Sequence, residues 1–429
     1  MSDGLPARRA SMALLEAVLE RDRTLEEAIA ESVSMRDLEP RDRGFARLTV
    51  LTVLRHLGQI DSLIGGYMER PPVGRAQRAL NILRIGIAHL LFLKTPAHAA
   101  VDAAVTLAKQ ERLDSMAGLI NAVLRRATRD GADLLAVQDA ERLNTPGWLW
   151  QDWIAQYGEE TTRAIARGHW IEPATDLTVK TDIDHWVDVL GAQKLTESSL
   201  RLPDSTDVTQ LPGFAEGAWW VQDVAATLPA RLLGDVAGLH VLDLCAAPGG
   251  KTAQLIAAGA TVTAVDRSKP RLNRLSENLT RLGMTAEIVT ADAVQYRPPE
   301  PVAAILLDAP CSATGTLRRH PEIAQRRGPA DIAKLAALQK RLITAAAEML
   351  APGGCLVVAT CSLQQAEGPA LYRHALSVPG LIADPIRPEE VPEIPEAVTQ
   401  DGWMRSHPGL WDDKGGMDGF FAMRFRKQM

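Results

Sequence analysis

Long apolar runs and paired cysteines are both missing from this sequence of 429 residues. No uncharged apolar stretch approaches the roughly 18–20 residues that a membrane helix needs. The N-terminal stretch MSDGLPARRASMALLEAVLERD alternates charged with apolar residues and lacks the apolar core of a signal peptide. The four cysteines contain no C-x-x-C pair, which argues against a disulfide framework or a zinc site. We therefore expect a cytoplasmic protein with reduced thiols, no metal and no membrane partner.

A surplus of basic residues, which is typical of nucleic-acid-binding proteins, is missing as well. The net charge is −6, although residues 1–135 are slightly basic and the remainder carries the acidic excess. Electrostatic attraction acts locally under salt screening, so the total charge neither proves nor excludes RNA as a partner. One basic cluster, formed by Arg318, Arg319 and His320, is either a solvated loop or a contact for phosphate groups.

Three regions of different character follow one another along the chain, which is too long for a single core. The first is helical, with about six helices and a buried central one at Asn81–Lys94. The second holds a strand at Asp176–Thr181 and an amphipathic helix near Ile183–Leu190. The third alternates apolar strands with helices. We predict a multidomain protein with an all-α bundle (1–137), a small α+β subdomain (138–230) and an α/β Rossmann-like domain (231–429).

Short apolar strands recur in the third region, at His240–Cys245, Thr261–Asp266, Ala286–Thr290, Ala303–Asp308 and Cys355–Thr360. Helical segments lie between most of them, at Lys251–Ala258, Lys269–Leu282 and Asp331–Leu350. This alternation predicts a doubly wound parallel sheet, which binds ligands at the carboxyl ends of its strands. The polar residues at or near those ends are Asp243, Asp266, Asp292, Asp308 and Cys361.

A glycine-rich turn follows the first strand, in the segment VLDLCAAPGGKT. Its glycines would let the backbone approach a ligand, with amides of the next helix pointing at it. Cys245 occupies the first glycine position of a P-loop, and the dinucleotide pattern G-x-G-x-x-G is absent. Asp266 lies about 20 residues after Asp243, where a carboxylate accepts hydrogen bonds from ribose hydroxyls. With Asp292 placed to meet an adenine amino group, the ligand that fits is S-adenosylmethionine.

Two cysteines lie at the ends of predicted strands, Cys311 in DAPCSATG and Cys361 in VVATCS. A thiolate is both a nucleophile and a leaving group, which suits reversible addition to a pyrimidine. Addition at carbon 6 of cytosine makes carbon 5 able to take a sulfonium methyl group, and an acid such as Asp308 at ring nitrogen 3 would stabilise the developing charge. A second thiol would then assist when the first is expelled. Cys245 and Cys355 are expected to be inert buried thiols.

Several segments resemble signature motifs of the RNA (cytosine-5)-methyltransferase family, namely DAPCSATGTLRRHPE, VVATCSLQQAEG and VLDLCAAPGGKT. FAEGAWWVQDVAA and GGMDGFFAMRF resemble two further motifs of that family, so the resemblance covers about residues 140–429. The helical region resembles NusB-like domains through LLEAVLERDRTLEEAI, NILRIGIAHLLFL and GLINAVLRR. The combination resembles the RsmB-type (Sun/Fmu) enzymes, which methylate a cytosine in small-subunit ribosomal RNA.

The resemblance implies a class I methyltransferase fold, S-adenosylmethionine as cofactor and small-subunit (16S) ribosomal RNA as partner, with a monomer expected. It makes Cys361 the nucleophile, gives Cys311 a part in releasing the product and places Asp308 against the cytosine. It implies cofactor contacts at Cys245, Ala246, Ala247, Pro248, Gly249, Gly250, Lys251, Asp266, Asp292 and Asp308. The NusB-like bundle and the small subdomain would hold the surrounding RNA.

Three positions depart from the family's pattern. Ala313 stands where the family has glycine after the first thiol, a change that we expect to be tolerated. Gly368 follows Glu367 where the family continues with asparagine. The small subdomain has TVKTD where family members often show L-R-V-N, which weakens any prediction about RNA contacts of that loop. None of the three removes a group that the mechanism requires.

Two other functions stay open at this point. A DNA cytosine-5 methyltransferase would follow the same chemical cycle, but its nucleophile would be Cys311 and Cys361 would have no role. A non-catalytic RNA-binding scaffold would account for the helical region alone and would leave the aspartates and both thiols without a purpose.

Overall fold

The computed structural model describes residues 4–68, 77–203 and 207–429. The chain divides into two compact units, residues 1–170 with 317–327 and residues 171–316 with 328–429. The first unit thus extends beyond the bundle predicted for residues 1–137 and includes a segment that follows the first thiol motif. The division into three domains at residues 137 and 230 stays a prediction.

Amphipathic helices build the first unit. They are α1 (Leu5–Arg21), α2 (Leu25–Glu31), α3 (Val33–Arg36), α4 (Pro40–Arg55), α5 (Leu57–Tyr67), α6 (Gln77–Ile87), α7 (Ala97–Gln110), α8 (Asp114–Ala136), α9 (Ala140–Asn144) and α10 (Gly147–Trp170). Within the described part of residues 4–137, six helices exceed ten residues and two are short, which agrees with the prediction of about six helices. None of the helices in the described ranges combines the length and the apolar character needed to cross a membrane.

The predicted central helix Asn81–Lys94 is interrupted. After α6 the backbone widens into a π-helical turn at Ala88–Phe92. This turn carries His89, whose Nδ1 accepts a hydrogen bond from Arg8 Nε at 3.2 Å and whose Nε2 lies 3.1 Å from Thr49 Oγ1. Burial lowers the pKa of His89 to about 3, so the ring is a neutral structural group. Hydrophobic periodicity does not reveal such an extra residue in one turn.

A small antiparallel sheet opens the second unit. It contains β1 (Asp176–Val179), β2 (Gln193–Lys194), β3 (Ser199–Arg201) and β4 (Trp219–Val221) in the order β2-β3-β1-β4, together with α11 (Ile183–Leu190). The predicted strand and helix of this region are therefore both present. A buried ion pair joins two strands, since Arg201 Nε lies 2.7 Å from Asp176 Oδ1. Asp176 Oδ2 also accepts a hydrogen bond from the backbone nitrogen of Val224 at 3.1 Å, which fixes the small sheet to the next helix.

The large sheet follows. Its strands are β5 (His240–Leu244), β6 (Thr261–Asp266), β7 (Glu287–Thr290), β8 (Val302–Asp308), β9 (Leu350–Thr360), β10 (Leu381–Ala383), β11 (Met404–Arg405) and β12 (Phe421–Lys427). Its helices are α12 (Val224–Arg231), α13 (Gly250–Ala257), α14 (Lys269–Arg281), α16 (Pro329–Met349) and α17 (Pro369–Leu376), and the short α15 (Ile323–Arg326) belongs to the first unit. The strand order is β10-β12-β9-β8-β5-β6-β7.

The five strands from β5 to β9 are parallel, as predicted, and β12 runs antiparallel beside β9. Their apolar side chains are buried in two clusters, which is why these strands appear in the sequence as nearly continuous apolar runs. The segment GGMDGFFAMRF leads into β12, in agreement with its resemblance to a final strand. The Rossmann-like fold class is therefore confirmed.

Candidate active site

The carboxyl ends of five neighbouring strands gather the polar residues that the sequence analysis selected. Asp243 is the last residue but one of β5, and Asp266 and Asp308 are the last residues of β6 and β8. Asp292 follows β7, and Cys361 comes directly after β9. Because the spatial order is β9-β8-β5-β6-β7, these residues line one continuous edge of the sheet. The sheet edge at which a ligand crevice was predicted therefore carries all five residues.

The turn Cys245–Lys251 connects β5 to α13 and supplies backbone groups at this edge. Cys245 adopts a left-handed conformation (φ 63°), and Gly249 has φ 102°. A Cβ atom on Gly249 would lie 2.8 Å from Leu275 Cγ, so both its conformation and its packing require glycine. Burial raises the pKa of the Cys245 thiol, in keeping with the inert role predicted for it. The helix then begins at Gly250 with its first amides turned toward the crevice.

Asp266 is buried beside this turn and accepts several hydrogen bonds. Its Oδ1 accepts from the backbone nitrogen of Ser268 at 2.8 Å, and its Oδ2 accepts from the backbone nitrogen of Ala247 at 3.3 Å. Arg271 adds an ion pair, with Nη1 at 3.2 Å from Asp266 Oδ2, and also donates to the carbonyl oxygen of Ala247. A ribose hydroxyl that bonded to Asp266 would therefore share the carboxylate with Arg271.

Two carboxyl groups of this sheet edge, those of Asp292 and Asp243, differ in exposure. Asp292 is exposed and uses only Oδ1 for a local bond, accepted from the backbone nitrogen of Val294 at 2.9 Å. Asp243 is fully buried, and its Oδ2 accepts a hydrogen bond from Thr252 Oγ1 at 2.6 Å. Its Oδ1 has no hydrogen-bond partner among the described residues. Burial raises the pKa of Asp243 to about 7, so this carboxyl group is partly protonated near neutral pH.

Asp308 and Lys251 form an ion pair between the cofactor turn and the thiols. Lys251 Nζ lies 2.8 Å from Asp308 Oδ2 and 4.9 Å from the centre of the Phe420 ring. Burial lowers the pKa of Lys251, but the charge and hydrogen bond of Asp308 outweigh this effect, with a smaller contribution from Cys361, and the net pKa is raised. The structure places the ammonium group of Lys251 on Asp308, and its contact with the cofactor stays a prediction.

The two thiols of the signature motifs meet at the same edge. Cys311 Sγ and Cys361 Sγ lie 3.3 Å apart, and both residues are partly buried. The hydrogen bond with Cys361 and burial both raise the pKa of Cys311, and the charge of Glu367 adds to the shift. Cys355 lies within β9, where burial raises its pKa to about 11, as expected of an inert thiol. Adjacent parallel strands thus bring two cysteines from distant motifs into contact.

The loops that carry the thiols are tightly packed against one another. The backbone nitrogen of Gly315 donates to the carbonyl oxygen of Cys361 at 3.0 Å, and its own carbonyl accepts from the backbone nitrogen of Gly419 at 2.8 Å. A Cβ atom on Gly315 would overlap the Gly419 carbonyl oxygen. Ala313, which replaces a family glycine, adopts the left-handed region with φ 59°. This conformation favours glycine, and the tolerance of alanine at this position stays a prediction.

The second departure from the family's pattern, glycine in place of asparagine at position 368, is accompanied by an arginine side chain packed beside it. A side chain at position 368 would overlap the guanidinium group of Arg405, which also donates from Nη1 to the carbonyl oxygen of Leu363 at 3.4 Å. Arg405 therefore occupies the volume that an asparagine at position 368 would need, and glycine leaves that volume open.

The site also contains residues that the sequence analysis did not select. Arg271 lies in the first turn of α14 and contacts the cofactor turn. No sequence motif includes it. Gln222, at the end of the FAEGAWWVQD segment, lies 3.4 Å from where a Cβ of Gly250 would be, and it accepts from Trp220 Nε1 at 2.7 Å. The resemblance of that segment to a family motif was the one signal for Gln222, because its contacts connect residues far apart in the sequence.

Within the predicted basic cluster, Arg318 differs from Arg319 and His320, which are only partly buried. Arg318 is buried within the first unit, and its carbonyl oxygen accepts a hydrogen bond from Arg55 Nη2 at 3.2 Å. Arg326 in the same segment pairs with Asp22 at 2.9 Å. The prediction of a solvated or phosphate-binding Arg318 is therefore wrong, because the segment packs into the helical unit. No group of three or more possible metal ligands occurs in the described ranges 4–68, 77–203 and 207–429.

Known proteins resemble this chain in both sequence and fold. Residues 230–426 match the family described as 16S rRNA methyltransferase RsmB/F, and residues 5–129 match the NusB family. The ribosomal RNA small subunit methyltransferase B of Pseudomonas putida is 34% identical over 440 residues, covering 98% of each chain. The protein of that name from Vibrio cholerae is 37% identical over 377 residues, covering 84% of this chain and 86% of its own. The chain belongs to the RsmB/F methyltransferase family.

Solved structures agree with the RsmB/F fold. PH0851 superposes with a TM-score of 0.76 at 22% identity, covering 98% of this chain and 99% of its own. NSun6 from Pyrococcus horikoshii, solved with SFG, has a TM-score of 0.57 at 20% identity and covers 66% of this chain and 98% of its own. An RsmB/F chain of this kind is an enzyme, a methyltransferase, and the interpretation as a non-catalytic scaffold is wrong.

The cofactor of the RsmB/F chain is S-adenosylmethionine, and the residues at the sheet edge fit it. The first amides of α13, beginning with Gly250, offer donors for a carboxylate, without the glycine pattern that a phosphate tail requires. Asp266 and the exposed Asp292 offer acceptors for hydroxyl and amino groups. The carboxyl groups of this edge also suit the positive charge of a sulfonium. Which of the turn residues Cys245–Lys251 touch the cofactor stays a prediction.

Proposed function

We propose that this enzyme methylates carbon 5 of a cytosine in RNA, most specifically in 16S ribosomal RNA. The observation that carries the proposal is the pair of sulfur atoms 3.3 Å apart beside the Lys251–Asp308 ion pair. Carbon 5 of cytosine is not nucleophilic until a group adds at carbon 6, and a thiolate is suited to that addition. The curated relatives are named as methyltransferases of ribosomal RNA, which supports the substrate class.

In the proposed reaction, Cys361 Sγ bonds to carbon 6, and Asp308, as the protonated acid, donates a hydrogen bond to ring nitrogen 3, where negative charge develops. Lys251 adds positive charge next to Asp308 and so stabilises the same developing charge. S-adenosylmethionine supplies an electrophilic methyl group on a positively charged sulfur. After carbon 5 has taken the methyl group, its proton passes to water, the double bond between carbons 5 and 6 forms again, and Cys361 leaves carbon 6 as a thiolate. Cys311, which keeps its proton, donates a hydrogen bond to the departing sulfur.

A base in RNA reaches such a thiol only when it is single-stranded or turned out of its stack. The helical unit, which matches the NusB family, is proposed to hold the surrounding RNA. Four exposed arginines on α3 and α4 support this proposal, namely Arg36, Arg41, Arg43 and Arg47. Exposed positive side chains attract phosphate groups without regard to the overall charge of the chain. A monomeric state stays a prediction.

The order of the two thiols can be tested by trapping the covalent intermediate. We expect Cys311→Ala to accumulate a protein–RNA adduct, because release is impaired, and Cys361→Ala to form none. The matched control is Cys355→Ala, which removes a buried thiol outside the site and should behave as wild type. An adduct with Cys361→Ala but none with Cys311→Ala would reverse the assignment and favour the order used by DNA cytosine-5 methyltransferases.

The substrate can be tested in cells that lack this protein. Bisulfite sequencing of their ribosomal RNA should show one unprotected cytosine that becomes protected when the wild-type gene is returned. Return of the Cys361→Ala gene should leave that cytosine unprotected, while return of the Cys355→Ala gene should restore its protection. An unchanged pattern of protected cytosines in all four strains would contradict 16S ribosomal RNA as the substrate.

A further inference from the structure

A buried carboxylate lies behind the two thiols and is not among the reacting groups. Glu367 is fully buried, and its side chain accepts hydrogen bonds from four donor atoms. Oε1 accepts from the backbone nitrogen of Ser312 at 3.0 Å and from Gln339 Nε2 at 2.9 Å. Oε2 accepts from Ser362 Oγ at 2.6 Å and from Ser312 Oγ. A carboxylate is costly to bury unless donors surround it, so these four neutral donors explain how Glu367 is kept in the interior.

The donors belong to the two loops that carry the thiols. Ser312 directly follows Cys311, and Ser362 directly follows Cys361. One carboxylate therefore binds both loops one residue away from each sulfur. The hydroxyl groups of Ser312 and Ser362 also lie 3.1 Å apart, which closes the contact between the loops.

A second side chain fixes the carboxylate to the helix behind the sheet. Gln339 lies on α16, outside every signature motif, and is fully buried. Its Nε2 donates to Glu367 and also to the carbonyl oxygen of Pro310 at 2.8 Å, directly before Cys311. The loop of Cys311 is thus held on both sides of the cysteine, by Gln339 at Pro310 and by Glu367 at Ser312.

We propose that Glu367 is a positioning residue that, together with Gln339, holds the sulfur atoms of Cys311 and Cys361 at the separation that attack and release require. The catalytic meaning of this separation rests on the proposed function, while the geometric part does not. Misplacing a reacting group by about 1 Å can lower a rate about 100-fold, so a frame of this kind has a direct effect on kcat. The cofactor turn and Asp266 make no contact with Glu367 in the described hydrogen bonds, so cofactor binding should not depend on it.

The test compares three variants of the full-length enzyme. Glu367→Ala removes the acceptor entirely. Glu367→Gln keeps its shape, since the amide oxygen can accept from Ser312 and Gln339 and the amide group can donate to the two hydroxyl oxygens. Gln339→Met removes only the donor on α16. Thr227→Val is the matched control, because it removes another fully buried hydroxyl of the same unit, bonded to the Val224 carbonyl at 2.7 Å.

The first readout is the separation of the thiols. Dibromobimane becomes fluorescent when both of its arms have reacted with neighbouring thiols, and Cys311→Ala and Cys361→Ala give the unbridged baseline. We expect bridging in wild type, Glu367→Gln and Thr227→Val, and slower bridging in Glu367→Ala and Gln339→Met. The second readout is steady-state methylation. We expect kcat to fall about 100-fold in Glu367→Ala and less in Gln339→Met, with the KM for S-adenosylmethionine unchanged.

Bridging at the wild-type rate in Glu367→Ala or Gln339→Met would overturn the proposal. An equal loss of bridging rate and kcat in Glu367→Gln and Glu367→Ala would also overturn it, because the shape of the side chain at position 367 would then not account for the effect. If Glu367→Ala does not fold, Glu367→Gln and Gln339→Met decide the question. Failure of the proposed function would show itself differently, as wild-type bridging with the expected dependence on Glu367 but no methylation of cytosine.

Discussion

Replacing Asp243 by asparagine should change how the stability of this enzyme depends on pH. Asp243 is fully buried at the cofactor edge, and burial raises its pKa to about 7. In the unfolded chain the same group titrates near pH ~3.9. The folded state therefore binds the proton more tightly, and the stability contributed by this group is complete below about pH 4 and is lost as the pH rises through about 7.

The magnitude follows from the separation of the two pKa values. Between pH 5 and pH 8, wild type should lose about 2.5 kcal/mol of unfolding free energy through Asp243 alone. Asparagine has nearly the same shape, can still accept the hydrogen bond from Thr252, and does not titrate. The stability of Asp243→Asn relative to wild type should therefore rise by about 2.5 kcal/mol over this interval, since other titrating groups cancel in the difference.

Urea denaturation at pH 5, 6, 7 and 8, followed by tryptophan fluorescence without cofactor, measures this difference. Asp292→Asn is the matched control, because it removes an exposed carboxyl group from the same edge of the sheet. Parallel pH profiles for wild type and Asp243→Asn would refute the reasoning, and so would a difference of the opposite sign.

Three further substitutions test other parts of the site. Gly315→Ala should lower the free energy of unfolding by at least about 3 kcal/mol in thermal or urea denaturation, because its Cβ atom would overlap the carbonyl oxygen of Gly419. Ala313→Gly should raise stability by about 0.5 kcal/mol, since φ is 59° and relief of the left-handed alanine exceeds the entropic cost of glycine; a loss would show that the methyl group packs favourably. Lys251→Met should lower kcat about 30-fold, the effect of losing a charge-assisted hydrogen bond to Asp308. If Lys251 instead bound the cofactor alone, the KM for S-adenosylmethionine would rise and kcat would be unchanged.

The parallel strands β5, β6, β8 and β9 could be predicted because they are buried on both faces and therefore form short apolar runs, whereas β7 at the sheet edge is largely exposed. The limits of that prediction are physical. The strand β9 begins at Leu350, five residues before the predicted start, because Pro352-Gly353-Gly354 has the composition of a turn. It pairs with β8 there through an irregular register, and such a register depends on the partner strand.

The polar residues of the site were predictable where they lay at strand ends, since one rule of the fold gathers those positions. The supporting contacts were not predictable in the same way. Gln339 lies in the middle of a helix with nothing in its sequence neighbourhood to distinguish it, and it meets Glu367 through folding alone. Arg318 is the opposite case. Its charge predicted a position on the surface, whereas tertiary packing buries it.

Contact between the two thiols does not by itself say which of them attacks, but their surroundings are unequal. The hydrogen bond with Cys361, burial and the charge of Glu367 all raise the pKa of Cys311, which therefore keeps its proton. A protonated thiol is a weak nucleophile and a good hydrogen-bond donor to a departing sulfur. This inequality favours Cys361 for attack and Cys311 for release, independently of the family resemblance.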